Sequence, residues 1–186
     1  VNRDFVIQIL TGPVHSGKTT LLQRLADQLK KQNIEVAGFL SLYTEEKDQF
    51  IGYDLFDLIQ GTRTPFIRKE GQKAWQRIGP YFFIPESLDH AQNIILRSTK
   101  ADICVIDEVG PLELEGKGLG PALKKVMPLL RPEYILVIRD SILDKWLRAL
   151  GEIPTKIFRI SDNELLSKMV KYFNSKSRDK GNVEPL

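Results

Sequence analysis

Eight residues near the amino end restrict the possible folds of this chain more than any other feature. Residues 12–19 read Gly-Pro-Val-His-Ser-Gly-Lys-Thr, which fits the pattern G-x-x-x-x-G-K-[ST]. An apolar stretch at residues 5–10 precedes them, and apolar residues at helical spacing follow: Leu21, Leu22, Leu25 and Leu29. A strand, a glycine-rich loop and a helix in this order are typical of a loop that wraps a phosphate group.

Each part of this loop predicts a role. Its glycines let successive N–H groups point inward, and the helix start adds partial positive charge, so an anion is the expected occupant. We expect the Lys18 ammonium group to reach the β- and γ-phosphates and the Thr19 hydroxyl to ligate Mg²⁺. His15 occupies a variable position of the pattern, so it is assigned no base chemistry. The predicted nucleotide-binding residues are Gly12, Pro13, Val14, His15, Ser16, Gly17, Lys18, Thr19 and Thr20.

A second motif supplies the carboxylates that a phosphate loop needs. Residues 103–107 form an apolar strand that ends in Asp107 and is followed directly by Glu108. Adjacent side chains at a strand end point in different directions, so Asp107 is predicted to face the metal and Glu108 to activate the attacking water. A solvated turn or a helix cap is the alternative for such a pair. Glu113, five residues beyond Glu108, is a rival for the water-activating role.

A further cation is expected because charge develops on the γ-phosphoryl group during transfer. Arg139 is the first candidate, since it follows the apolar strand predicted at residues 134–138, and ligands of parallel sheets gather at the carboxyl ends of strands. Alternatively, Arg139 pairs with Asp140 or Asp144 at a helix start. Arg63 and Arg68 are second candidates in a segment of unclear structure. The predicted catalytic residues are Glu108, Lys18 and Arg139.

The remaining pattern predicts a single three-layer α/β domain over residues 1–173, with a mostly parallel sheet and an antiparallel hairpin insert. The hairpin strands are expected at 36–43 and 50–58, a strand at 81–84 is followed by a helix, and 60–77 has no clear pattern. Strands at 103–107, 134–138 and 156–160 alternate with helices at 122–130, 143–150 and 164–173. Residues 174–186 lack apolar periodicity and are predicted to be a mobile tail.

Composition narrows the possible partners and location. The 27 Lys and Arg residues exceed the 24 Asp and Glu residues by only three and are interspersed with them, so no nucleic-acid partner is expected. The longest apolar runs are far shorter than a membrane span, and the amino end shows no signal-peptide pattern, so no membrane association is expected. Cys104, the one cysteine, lies within an apolar strand, which predicts a reducing, cytoplasmic location.

Taken with the phosphate loop, three further segments resemble a known family. They are Asp107-Glu108-Val109-Gly110-Pro111-Leu112-Glu113-Leu114, Gly38-Phe39 and Gly52-Tyr53-Asp54. Over residues 5–173 the chain resembles the small P-loop nucleoside-triphosphatases, which include thermostable and cancer-related members. The resemblance implies a RecA-like domain that uses Mg²⁺ to hydrolyse nucleoside triphosphates (ATP, GTP, CTP and UTP) to diphosphate and phosphate with broad base tolerance. It places the phosphate loop at residues 12–19 and the acidic motif at Asp107, Glu108 and Glu113. The chain departs from the family pattern at Phe50, where an arginine is usual, and at Pro80, where a lysine is frequent.

Two other functions fit the same motifs. One is a P-loop kinase or a cofactor-biosynthesis GTP-binding protein, although no arginine-rich lid segment is evident. The other is a nucleotide-switched adaptor that presents residues 50–84 to a partner. No Asn-Lys-x-Asp guanine-reading motif occurs in the sequence, and the base is expected near residues 160–163 by fold analogy. The sequence makes no prediction of oligomeric state.

Overall fold

The computed structural model of this chain describes residues 7–129 and 132–181, and their strands form one nine-stranded sheet. The strands are β1 (Ile7–Gly12), β2 (Val36–Glu46), β3 (Gln49–Asp57), β4 (Arg63–Arg68), β5 (Arg77–Ile78), β6 (Tyr81–Phe83), β7 (Ile103–Ile106), β8 (Glu133–Arg139) and β9 (Thr155–Arg159). The helices are α1 (Lys18–Lys30), α2 (Pro85–Arg97), α3 (Pro111–Leu114), α4 (Gly120–Val126), α5 (Leu143–Leu150) and α6 (Leu165–Gly181). Short 3₁₀ turns cover Ser98–Lys100 and Asp140–Ile142.

The sheet has a parallel half and an antiparallel half, in the order β5-β6-β4-β3-β2-β7-β8-β1-β9. Strands β2, β7, β8, β1 and β9 pair in parallel. The register aligns Gly12 with Arg139, and Phe39 with Ile106. The loops that follow β1, β7 and β8 therefore leave the sheet at the same edge, which β2 passes beyond Phe39, and ligands of open α/β sheets bind at such an edge.

Helices cover both faces of the sheet because alternate side chains of buried strands point to opposite sides. On one face α1 and α6 bury Leu22, Leu25, Leu29, Leu165, Met169 and Phe173 against Leu10, Val105 and Val137. On the other face α2, α4 and α5 bury Ile95, Leu123 and Trp146 against Ile9, Ile106 and Leu136. The α/β class and the three-layer arrangement predicted from the sequence are confirmed. No helix within the described ranges combines the length and apolar character needed to cross a membrane.

The predicted hairpin is confirmed and is part of a larger antiparallel extension. Strands β2 and β3 pair up to Glu46 and Gln49, so the turn is only Lys47 and Asp48, both with positive φ. This is the two-residue loop that matches strand twist, and it is shorter than the predicted 44–49 turn. The segment 60–77, predicted to be irregular, contains β4, which pairs with β3. Pro65 within β4 donates no ladder hydrogen bond, which weakened the strand pattern.

Two of the glycines that carry the family resemblance lie where the backbones of paired strands approach each other closely. A Cβ atom on Gly38 would lie 1.9 Å from the carbonyl oxygen of Val105, and one on Gly52 would lie 1.9 Å from that of Ile67. Both residues have positive φ, 99° and 151°, which side chains disfavour. These glycines therefore hold β2 against β7 and β3 against β4.

Helix ends differ from the predictions at two places. Helix α4 ends at Val126 rather than near residue 130, because Pro128 cannot continue a helix. Helix α6 starts where the Asp162 carboxylate accepts the Glu164 backbone N–H at 3.0 Å. It continues to Gly181, beyond the helix end predicted at residue 173, and the mobility predicted for residues 174–186 stays a prediction. The segment 174–180 contains no proline or glycine, and extending a packed helix adds one bond per residue. Residues 182–186 of the predicted tail, and residues 5 and 6 of the first predicted strand, lie outside the described ranges.

Candidate active site

The phosphate-loop motif joins the end of β1 to the start of α1. Gly17 adopts a left-handed conformation, φ 88°, at the position that precedes α1. The first turn of α1 contains no acidic residue, and no side chain caps its free N–H groups. The thirteen-residue helix therefore presents unpaired donors and its positive dipole end to the loop, as an anion site requires.

Lys18 is held inside the loop rather than in solvent. Its side chain is only 6% exposed. The Nζ atom donates to the carbonyl oxygens of Gly12 at 3.0 Å and Pro13 at 2.5 Å, and lies 3.3 Å from Ser16 Oγ. Burial lowers the pKa of Lys18, and the negative charges of Glu108 and Asp107 partly counteract this. The ammonium group is thus positioned between the loop and the acidic motif.

Thr19 and Asp107 meet directly. The Thr19 hydroxyl donates to Asp107 Oδ2 at 2.7 Å, and the Ser41 backbone N–H donates to the same oxygen at 3.3 Å. The Ser41 hydroxyl also donates to the backbone carbonyl of Asp107. Burial raises the pKa of Asp107 to about 6, with a further rise from the Glu108 charge, although the Thr19 hydrogen bond lowers it. A bound cation would therefore stabilise the negative charge of the buried Asp107 carboxylate.

This oxygen pair fits Mg²⁺. The ion prefers hard oxygen ligands and is usually held by one or two carboxylates together with substrate phosphates and waters. Thr19 and Asp107 supply one hydroxyl and one carboxylate at the phosphate loop. Across the described ranges no cluster of three or more His, Cys, Asp or Glu side chains offers a complete protein cage for a metal. The donor set therefore suits a metal that arrives with a phosphate ligand.

Glu108 and Arg139 form an ion pair at the same edge of the sheet. Arg139 Nε donates to Glu108 Oε1, and the two side chains are 46% and 28% exposed, so both can be reached by a ligand. The two partners considered for Arg139 from the sequence are not used. Asp140 instead accepts the Thr11 hydroxyl at 2.7 Å and lies 3.8 Å from Arg159.

Glu113 has a structural position. Its Oε2 atom accepts the Gly110 N–H at 2.7 Å and its Oε1 atom accepts the Leu119 N–H at 3.1 Å. Burial raises the pKa of Glu113, and these two hydrogen bonds oppose the rise. The carboxylate therefore fixes the loop between β7 and α4, and its acceptor positions are directed at backbone groups rather than at the phosphate loop.

One cavity of about 690 Å³ connects these groups. Its lining includes residues 14–20 of the phosphate loop, the three charged groups Asp107, Glu108 and Arg139, and aromatic residues of β2, β3, β4 and β6. Gly12 and Pro13 do not line it and act through their bonds to Lys18. Residues 160–163, where the base was expected, are not among the lining residues.

The other residues considered from the sequence lie in different parts of the structure. Arg63 lines the cavity and Arg68 does not, and both bind Asp54. Trp146 belongs to the buried core, and Trp75 does not line the cavity. Sequence reasoning did not identify Ser41 or the aromatic residues that line the cavity, which are Tyr43, Tyr53, Phe66, Tyr81 and Phe83. Ser41 follows Phe39, which pairs with the last residue of β7, so a parallel β2–β7 pairing was the signal for it.

Comparison with known proteins identifies relatives of this chain. A family model described as NTPase matches residues 8–169. Nucleoside-triphosphatase THEP1 of Thermofilum pendens is 33% identical over 163 residues, covering 85% of this chain and 89% of that protein. The cancer-related nucleoside-triphosphatase homolog of Bos taurus is 36% identical over 187 aligned positions, covering 89% of this chain and 95% of that protein.

A solved structure supports the fold. The crystal structure of THEP1 from the hyperthermophile Aquifex aeolicus matches with a TM-score of 0.70 and 18% sequence identity, covering 90% of this chain and 99% of that one. With a phosphate loop, an acidic strand end and a family match over most of its length, the chain belongs to the NTPase family of nucleoside-triphosphatase enzymes.

Proposed function

We propose that this chain catalyses the Mg²⁺-dependent hydrolysis of nucleoside 5′-triphosphates to diphosphate and phosphate with broad base tolerance. The 2.7 Å hydrogen bond between Thr19 and Asp107 carries the proposal, because it joins the phosphate loop to the acidic strand end in one site. Family membership supports triphosphate hydrolysis. The lack of a guanine-reading motif in the sequence supports acceptance of ATP, GTP, CTP and UTP.

In this proposal Thr19 and Asp107 hold Mg²⁺. The bound ion would supply neutralising charge to the β- and γ-phosphates. Ser41 orients the Asp107 carboxylate through its backbone N–H. Lys18 contributes a second positive charge, and the free N–H groups at the start of α1 contact the phosphate oxygens.

Glu108 is the proposed general base. A water molecule attacks the γ-phosphorus as its proton passes to the Glu108 carboxylate, a P–O bond to the water oxygen forms, and the bond to the β-phosphate oxygen breaks. Arg139 positions the Glu108 carboxylate through their hydrogen bond. Its exposed guanidinium group can also stabilise charge on the transferring phosphoryl group.

Phosphate release by the purified protein tests this proposal. ATP, GTP, CTP and UTP are each supplied with Mg²⁺ or with EDTA, and Lys18→Ala serves as the blank. We expect release with all four triphosphates and Mg²⁺, and none above the blank with EDTA. Release that persists in EDTA would refute the metal requirement. Tight triphosphate binding without release would favour the kinase or adaptor alternatives.

We also propose a cytoplasmic location. Cys104 is fully buried, and burial raises the pKa of its thiol to about 12, so this cysteine is suited to a reducing compartment without a disulfide partner. Fractionation of cells that express the protein tests this, and recovery in the secreted fraction would contradict it.

A further inference from the structure

The turn that follows β8 brings the two neighbours of Asp140 into the cavity and leaves Asp140 itself outside it. Arg139 and Ser141 line the cavity, whereas Asp140 does not. The Asp140 carboxylate instead accepts the Thr11 hydroxyl at 2.7 Å. Thr11 directly precedes Gly12, so this hydrogen bond joins the turn after Arg139 to the strand that leads into the phosphate loop.

Thr11 is a fixed donor for this bond. Its side chain is completely buried. Strand β1 lies between β8 and β9, and Thr11 is aligned with Ile138 on one side and with Arg159 on the other. The Thr11 carbonyl also accepts the Ile160 backbone N–H at 3.0 Å. Because the backbone around Thr11 is paired on both sides, the hydroxyl has little freedom to move, and it sets the position of Asp140.

Arg139 lies where the pairing of β8 ends. On the β7 side the pairing reaches only Leu136, and on the β1 side it ends at Arg139, opposite Gly12. The Arg139 side chain is 46% exposed, and the chain then enters a 3₁₀ turn. Backbone at the end of a strand opens more readily than backbone inside a sheet. The hydrogen bond between Thr11 and Asp140, one residue beyond the paired strands, therefore restrains Arg139.

The chemistry of this bond suits a restraint. A hydroxyl that donates to a carboxylate forms a charge-assisted hydrogen bond, which is stronger than a neutral one. Arg159 also faces Asp140, but at 3.8 Å and with its side chain 61% exposed it contributes little. Thr11 is therefore the main anchor of Asp140.

Asp140 has a second effect, which acts through charge alone. Burial lowers the pKa of Lys18, and the negative charge of Asp140 is among those that oppose this change. An amide in place of the carboxyl group keeps an acceptor oxygen and removes the charge. The asparagine variant therefore separates the hydrogen bond from the charge.

We propose that Asp140 and Thr11 are positioning residues for turnover, because their hydrogen bond holds Arg139 in place at Glu108. This inference rests on the proposed function, in which Arg139 positions the Glu108 base and stabilises charge on the transferring phosphoryl group. Neither Asp140 nor Thr11 lines the cavity, so both act through Arg139 rather than on the triphosphate.

Turnover and binding are measured separately to test this proposal. Thr11→Val keeps the shape of the buried side chain and removes the donor, and Asp140→Ala removes the acceptor. Each should lower kcat by about ten-fold, because a small misplacement of a catalytic group slows the reaction. Affinity for a non-hydrolysable ATP analogue with Mg²⁺ should stay within about two-fold of wild type, since the phosphate loop and Lys18 are intact.

Conservative variants and a matched control sharpen the comparison. Thr11→Ser retains a hydroxyl donor and Asp140→Asn retains an acceptor oxygen, so both should recover most of the lost kcat. Asp144→Ala is the control, since Asp144 is an exposed carboxylate in the first turn of α5. A wild-type kcat in Thr11→Val would overturn the proposal. So would a failure of both conservative variants to recover turnover in protein that circular dichroism shows to be folded.

An Arg139→Ala background shows whether the effect passes through Arg139. In that background Thr11→Val should lower kcat no further, because residues that act through one group are not additive. An equal fall in both backgrounds would show that Thr11 acts elsewhere and would overturn the proposal.

The Arg139 Nε–H signal gives a readout that needs no hydrolysis. It is assigned in proton–nitrogen correlation spectra by its absence from Arg139→Ala. Thr11→Val should shift this signal from its wild-type position, and Thr11→Ser should return it. An unmoved signal in Thr11→Val would overturn the proposal even in an active enzyme. A wild-type protein that releases no phosphate would refute the proposed function, while the signal would still decide whether Thr11 positions Arg139.

Discussion

Lys18 places a positive charge inside the phosphate loop before any ligand arrives, because its ammonium group is held by the Gly12 and Pro13 carbonyls. We predict that Lys18→Ala lowers triphosphate affinity by at least about 100-fold, since hydrogen bonds to charged groups contribute about 1.5–3 kcal/mol each. Titration calorimetry with Mg²⁺ and a non-hydrolysable analogue measures this. Lys31→Ala, an exposed lysine just past α1, is the control, and equal affinity in the two variants would refute the role of Lys18.

The prediction for Arg139 concerns turnover rather than triphosphate binding. Its guanidinium group contacts Glu108 rather than the phosphate loop, so its removal is expected to affect the transition state more than binding. Arg139→Ala should lower kcat by about 10- to 1000-fold with little change in nucleotide affinity. Arg159→Ala is the comparison, because Arg159 faces Asp140 outside the cavity. A wild-type kcat in Arg139→Ala would show that the ion pair has no part in turnover.

At the scale of elements, Asp54 joins β3 to β4. Its carboxylate binds Arg68 at 2.7 Å and Arg63 at 2.8 Å. Burial raises the pKa of Asp54, but the two arginines outweigh burial and hold it below the ordinary value. Because the folded-state pKa is the lower one, the stability from this carboxylate is present above about pH 4 and is lost as pH falls through the folded pKa.

Asp54→Asn is therefore predicted to lower the free energy of unfolding by about 1 kcal/mol at pH 7. Urea unfolding of wild type and variant from pH 7 to pH 2.5 measures the difference, which should shrink below about pH 4 as the wild-type carboxyl group is protonated. Asp48→Asn in the β2–β3 turn is an exposed control. A difference that stays constant with pH would contradict this assignment.

The elements also show why part of the fold could be predicted and part could not. Helix α5 and strands β7 and β8 agree with their predicted bounds to within one residue, because continuous apolar runs and helical spacing are local signals. Strand β4 was missed because its formation depends on pairing with β3, and no local sequence pattern encodes that contact. Helix α6 was predicted too short because its apolar periodicity ends near residue 173, whereas the helix itself continues to Gly181.

At the scale of the whole molecule, the predicted catalytic groups meet because β1, β7 and β8 are parallel neighbours. Their loops bring Thr19, Asp107, Glu108 and Arg139 to one edge, as strand order in an α/β sheet requires. The aromatic residues that line the cavity could not be predicted as site residues, since they come from four strands whose antiparallel order was unknown. The motif therefore predicts the phosphate-binding residues of the cavity, and only the folded extension reveals its aromatic lining.

Hydrolysis by Glu108→Gln tests the account most directly, because the amide keeps the shape of the side chain and removes its basicity. In a single turnover with labelled ATP and Mg²⁺, we predict hydrolysis slower by about 10²- to 10⁴-fold with nucleotide affinity retained, so that the variant traps intact triphosphate. Glu113→Gln should hydrolyse ATP near the wild-type rate while losing about 1–3 kcal/mol of stability, since Glu113 accepts two buried backbone N–H groups. A wild-type rate in Glu108→Gln would contradict water activation by Glu108, and a dead Glu113→Gln beside it would transfer that role to Glu113.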